Sequence, residues 1–276
     1  MFPGSLRRVS TSHGDVVVEE FGGSGQPLLM IHGNSSCRRV FARQAASKLA
    51  SRYRLITFDL PGHGDSDDAI DPVRTYALPG LADCTAELLT RLGIGKIVVL
   101  GWSLGGHIAI EMLSRFDGIK GLIISGTPPI RQGGMAEGFV ASPATGAPGQ
   151  QNLSEAEIDA FARKMFGARV PSFLTQAIRR SDGRFRERLF AAALGGEGVD
   201  QRLAVESSSM PIAVINGSDD PIIRLDYVDS VAFGNLWEKR CHRLPGAGHA
   251  PFWRSASQFH DLVERYLDDL QHHRLG

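Results

Sequence analysis

With 276 residues, 42% of them hydrophobic, the chain is long enough for one large α/β core carrying an insertion and short for two independent domains. Thirty basic and thirty acidic side chains cancel, which removes the cationic field that nucleic acid or an anionic membrane would require and favours a small neutral substrate as partner. Three widely spaced cysteines, Cys37, Cys84 and Cys241, with no CxxC argue against a disulfide framework or a zinc site.

The N-terminal MFPGSLRRVS lacks the apolar run of a signal peptide, and no segment approaches the roughly 18 apolar residues of a membrane span. The expectation is a soluble cytoplasmic protein that uses no metal or other cofactor. LRRVSTS and DVVVEEF flank the turn HGD, and their alternating β-branched residues predict an antiparallel hairpin. Short apolar runs follow at 27–33 (PLLMIHG), 54–60 (RLITFDL), 96–101 (KIVVLG), 119–125 (IKGLIIS), 211–217 (PIAVING) and 239–245 (KRCHRLP), separated by helical stretches. Runs of this length between helices predict parallel strands buried on both faces, and right-handed crossovers then give a doubly wound α/β sheet.

Residues 128–209 interrupt that rhythm. RQGGMAEGFVASPATGAPGQQ is rich in Gly, Ala and Pro and reads as a mobile connection. In SEAEIDAFARKMF, Ser154 and Glu157 match a capping box, and Ile158, Phe161, Ala162 and Met165 share one apolar helix face. Two more helical stretches are predicted at about 171–181 and 184–194. The expected organisation is a core of residues 1–127 and 210–276 with a helical cap, 128–209, over the C-terminal sheet edge where open α/β sheets bind ligands.

GWSLGG (101–106) fits G-x-S-x-G, a weak signal alone that gains weight from the strand before it and the helix-forming IAIEML after it. A serine hydroxyl is a poor nucleophile at neutral pH, so Ser103 requires a base and an orienting acid. Both are available in loops that end later strands: NGSDDP (216–221) holds Asp219 and Asp220, and GAGHAPF (246–252) holds His249. His13, His63, His107, His242, His260, His272 and His273 lie on other turns, within helices or strands, or in the tail, and read as structural or solvated.

GWSLGG, HGN, DLPGHGDS, G-x-x-D-P and GHAPF together resemble the α/β-hydrolase superfamily across the chain outside the cap. The resemblance implies the α/β-hydrolase fold and selects Asp220, just before Pro, over Asp219 as the acid. The backbone N–H of Leu104, at the positive end of the following helix, and that of Asn34 in HGNSS are the candidate oxyanion donors. The Asn34 side chain is also a candidate substrate contact. His32 is expected to be structural, and DLPGHGDS to shape a loop. Serine as nucleophile excludes the epoxide hydrolases and haloalkane dehalogenases of this fold, which use Asp, and leaves acyl transfer to water.

HGNSS, DLPGHGDSDDAIDP, GWSLGGHIAIEM, SGTPP and FGNLWE followed by GHAPF are similar, more closely, to the metal-independent N-acylhomoserine lactone lactonases of this fold. That resemblance implies opening of the lactone ring by Ser103, His249 and Asp220. Phe161 stands where members of that group can place a tyrosine. Phe139, Phe161, Met165 and Phe173 are candidates for an acyl-chain pocket, with cap core as the alternative for each. Trp102 either faces the site or packs under the sheet edge. Two other readings stay open: a carboxylesterase or C–C bond hydrolase using the same triad, and a non-catalytic small-molecule receptor.

Overall fold

The computed structural model describes residues 4–141 and 146–272. Part of the Gly/Ala/Pro-rich connection, His273 and the first three residues therefore lie outside the described residues. Strands β1 (Ser5–Thr11) and β2 (Gly14–Phe21) form the expected hairpin, with Thr11 opposite Gly14. β3 (Pro27–Ile31), β4 (Arg54–Phe58), β5 (Ile97–Trp102), β6 (Ile119–Ser125), β7 (Ile212–Gly217) and β8 (His242–Leu244) complete one eight-stranded sheet. Its order is β1-β2-β4-β3-β5-β6-β7-β8. β2 pairs antiparallel with β1 and β4, and every later pairing is parallel.

Every residue of β5 and of β7 is buried. Alternation along β5 sends Ile97 and Val99 into one core, and Val98, Leu100 and Trp102 into the other. Helix α1 (Leu78–Arg91) covers the first face through Leu81, Leu88 and Leu89, joined by Ile108 of α2 (Leu104–Glu111). Between β6 and β7 the chain forms α3 (Glu155–Phe166), α4 (Ser172–Arg180), α5 (Gly183–Leu194) and the short α6 (Gln201–Glu206). The C-terminal α7 (Ala256–Gln271) covers the second face with Phe259, Val263, Tyr266 and Leu267. Burying each of these large side chains contributes about 1.5–3 kcal/mol against chain entropy.

The capping box forms as its sequence requires: Ser154 Oγ accepts from the Glu157 N–H, and the Glu157 carboxylate accepts from the Ser154 N–H at 2.8 Å. α3 then buries Ile158, Phe161, Ala162 and Met165 on one face. Two expectations need correction. KRCHRLP gives only a three-residue strand, because a 3-10 turn at Trp237–Lys239, with Glu238 and Lys239 at positive φ, occupies its beginning. A further short helix, α6, follows the three predicted in the insertion, capped by Asp200, whose carboxylate accepts the Leu203 N–H at 2.9 Å.

Candidate active site

β5 ends at Trp102 and α2 begins at Leu104, so the whole reversal falls on Ser103, held at φ 53° and ψ −118°. A non-glycine residue there is strained, and neighbouring contacts hold it in place. The Ser103 N–H donates to Ser125 O at 2.8 Å, and Thr127 Oγ1 donates to Ser103 O at 2.9 Å. The turn also needs α2 to approach β3 closely. A Cβ on Gly105 would lie 2.0 Å from Ile31 O, a backbone atom that cannot step aside.

His249 and Asp220 come from the loops after β8 and β7 and meet over the same sheet edge. His249 Nδ1 lies 2.8 Å from Asp220 Oδ2, both side chains being almost fully buried. The other carboxylate oxygen accepts the N–H groups of Ile222 at 2.8 Å and Ile223 at 3.3 Å. Burial alone would raise the Asp220 pKa, but the attraction of His249 and the three hydrogen bonds outweigh it and hold the carboxyl below its ordinary value. An ionised Asp220 accepts from Nδ1–H, so Nε2 of a neutral His249 is left as the proton acceptor. Gly126, at φ 63°, makes room for the ring: a Cβ there would sit 2.7 Å from His249 Cε1. Asp219 is turned away, accepting from Ser218 Oγ at 2.8 Å.

Ser103 and His249 line one pocket with Asn34, Leu104 and a mostly apolar wall, although no hydrogen bond joins the Ser103 hydroxyl to His249 among the described residues. Such contacts tighten when substrate arrives. Neither the Asn34 nor the Leu104 N–H has a hydrogen-bond acceptor among the described residues, which leaves both amides available to an anion at the positive end of α2. The loop carrying Asn34 is fixed from behind. Ser35, at φ 53°, donates its N–H to His63 Nε2 at 3.2 Å, while its hydroxyl donates to Asn34 Oδ1 at 2.8 Å and accepts from Arg186 Nη1 at 3.2 Å. Arg186 donates further to Gln150 O and Gln151 O, at 2.6 and 2.7 Å.

Four sequence candidates sit differently from one another. Phe139, Phe161 and Met165 line the pocket beside Ser103. Phe173 does not: it packs edge-on against Trp253, with the Arg39 guanidinium over its ring at 4.7 Å, in a separate groove. Trp102 is fully buried under the sheet edge, its indole N–H donating to His249 O at 2.8 Å, so it supports the histidine loop and offers no face to a ligand. The Asn34 side chain lines the pocket and is held by protein partners, its Nδ2 donating to Pro148 O at 3.1 Å while Oδ1 accepts from Ser35 Oγ. His32 is structural as expected, with Nδ1 2.8 Å from Gly33 O and Nε2 accepting the Leu60 N–H at 3.1 Å. His107, read from sequence as structural or solvated, lines the pocket instead.

A serine presented on a strained strand-to-helix turn, a histidine on a buried carboxylate and two amides without an acceptor among the described residues form the constellation of a serine hydrolase. The sequence pattern of the alpha/beta hydrolase family matches residues 28–262. The chain belongs to that family. Among solved structures, this hydrolase is similar to the N-acyl homoserine lactonase AidH in complex with N-butanoyl homoserine, at 43% identity and a TM-score of 0.94 over 96% of this chain and 97% of that one. A mutant of AidH complexed with N-hexanoyl homoserine lactone matches at the same identity and TM-score. The hydrolase is also 30% identical over 248 residues to the pimeloyl-[acyl-carrier protein] methyl ester esterase of Nitrosomonas europaea, covering 86% of this chain and 94% of the esterase.

Proposed function

We propose that this hydrolase opens the lactone ring of N-acyl homoserine lactones, with Ser103 as nucleophile, His249 as base and acid, and Asp220 orienting His249. The observation that carries the reading is the likeness to AidH, which at 43% identity extends through 96% of the chain and so includes the residues between β6 and β7 that wall the pocket. Residues 128–209 act in this reading as a cap, its Phe139, Phe161 and Met165 receiving the acyl chain.

His249 Nε2 takes the Ser103 proton as Oγ bonds to the lactone carbonyl carbon. The Asn34 and Leu104 amides hold the resulting oxyanion. Collapse breaks the ring C–O bond, and His249 returns its proton to the departing oxygen, which stays tethered through the acyl group. Water then attacks the acyl-enzyme with His249 as base, releasing the open N-acyl homoserine and restoring the Ser103 hydroxyl before the ring can reclose. Loss of the lactone is loss of the signal in lactone-based bacterial communication, so the biological consequence of this activity is quorum quenching.

The likeness to a methyl ester esterase supports a second reading, hydrolysis of an open-chain ester by the same residues. Comparing kcat/KM for N-acyl homoserine lactones and open-chain esters of equal acyl length, with chelator present, separates the two. The lactones are expected to lead by at least about tenfold. A preference for the esters by that margin assigns the protein to the second reading.

A further inference from the structure

The pocket contains four polar side chains in an otherwise apolar wall: Asn34, Ser103, His107 and His249. The mechanism uses Ser103 and His249, and the side chain of Asn34 is bonded at both ends to the protein, to Pro148 O and Ser35 Oγ. His107 is left. It stands one turn beyond Ser103 on α2, its N–H directed at Ser103 O, with its ring 6.1 Å from that of Phe139 on the acyl-chain wall.

The ring's hydrogen bonding is set by Gln201, a buried residue on α6. Gln201 Nε2 donates to the backbone carbonyl of His107 at 3.2 Å, which fixes the orientation of the amide, since a carbonyl can only accept. Gln201 Oε1 then faces His107 Nδ1 at 2.6 Å, and two acceptors cannot share that contact, so Nδ1 carries the proton. Nε2 is therefore a lone-pair acceptor. It has no hydrogen-bond partner among the described residues, and its ring lines the pocket.

We propose that His107 is a specificity-determining residue, its Nε2 accepting a hydrogen bond from the amide N–H of the N-acyl homoserine lactone. The inference rests on the lactonase reading and deepens it. An N-acyl homoserine lactone has a single amide donor, between the ring and the acyl chain, and His107 Nε2 is a pocket side-chain acceptor with no protein partner among the described residues, on the helix that starts at Ser103 and beside the Phe139 wall. A simple alkyl ester has no donor at that place and would leave Nε2 unpaired against hydrocarbon, which disfavours it. Burial lowers the His107 pKa to about 4, reinforced by the nearby His249 and opposed by the Gln201 bond, so the ring stays neutral and keeps its lone pair near neutral pH.

The test is a ratio. kcat/KM is measured for N-hexanoyl homoserine lactone and for a γ-butyrolactone bearing an all-carbon side chain of equal length, in wild type, His107→Leu, His107→Gln and Gln201→Leu. Wild type is expected to favour the amide lactone at least about tenfold. His107→Leu reduces that ratio about tenfold, mostly through KM, while His107→Gln, which still offers an acceptor, stays within about threefold of wild type. Gln201→Leu, which leaves His107 in place but frees its tautomer, also lowers the ratio and serves if His107→Leu does not fold. An unchanged ratio in His107→Leu, or in Gln201→Leu where His107→Leu does not fold, overturns the proposal, as does a wild type with no preference.

Should wild type open neither lactone, the lactonase reading fails. The His107 assignment is then judged on p-nitrophenyl esters of N-butanoylglycine and of the all-carbon acid of equal length. The same loss of ratio upholds it there, and equal ratios in wild type and variants reject it.

Discussion

Ser103→Ala is expected to lower kcat by roughly a million-fold on activated esters, and on lactones where these are the substrate, with the folded protein intact. The size of the effect follows from what else the pocket contains. Its remaining polar side chains are Asn34, His107 and His249, and none of them can form an acyl-enzyme with comparable positioning. Oxyanion donors and binding alone sustain about 10³–10⁴-fold acceleration over water, which sets the expected residual rate. The hydroxyl accounts for none of the turn's geometry, because the bonds that hold Ser103 at positive φ run through its N–H and carbonyl. Circular dichroism and the urea midpoint should therefore match wild type while activity disappears. A variant that kept a tenth of the wild-type kcat would place the nucleophile elsewhere.

Asp220→Asn is expected to lower kcat about ten-thousand-fold, and the reason is tautomeric. Asp220 Oδ1 is committed to the Ile222 and Ile223 N–H groups, so an amide at this position presents its NH₂ to His249 Nδ1. The histidine must then accept at Nδ1 and carry its proton at Nε2, the nitrogen that receives the proton of Ser103 in the proposed mechanism. The substitution also has a stability signature. The folded-state pKa of Asp220 is depressed, so its contribution is fully present above the unfolded value of about 3.9 and is lost as pH falls through the lower folded value. Wild type should exceed Asp220→Asn by about 1–2 kcal/mol near neutral pH, with the gap closing below about pH 4. Urea unfolding at pH 7 and pH 3 measures it, and a gap that widened in acid would contradict the assignment of an ionised Asp220.

Much of this site could be read from the sequence because its parts are local. Strand ends announce themselves through the change from IVVL to glycine and serine, and Asp220 and His249 each follow a recognisable apolar run. Strand β6 matches its predicted range because IKGLIIS has nothing inside it that breaks pairing. β8 is shorter than its sequence suggests, since Trp237 is drawn into a turn by packing on His242 and Tyr266, contacts invisible to periodicity.

The less legible parts depend on partners far apart in the chain. Gln201 follows GGEGVD with no periodic pattern, and its importance lies in a contact with His107, 94 residues earlier. Arg186 reads as one charge among many in GRFRERLF, yet it is buried and ties Gln150 and Gln151 to Ser35 behind the loop carrying Asn34. Trp102 and Phe173 illustrate the converse. Aromatic residues near a motif pack as readily behind a site as in it, and here the indole N–H finds the His249 carbonyl while Phe173 finds Trp253.

The central claim, that Ser103 is the nucleophile that opens the lactone, is tested most directly by titrating the protein with a serine-reactive phosphonate. Ring opening of N-hexanoyl homoserine lactone is followed, with chelator present, against the fraction of Ser103 labelled by mass spectrometry. The account predicts that activity falls in proportion to the labelled fraction and reaches zero at one label per chain, on Ser103. Full labelling of Ser103 with ring opening retained, or active protein that the phosphonate leaves unlabelled, would contradict it.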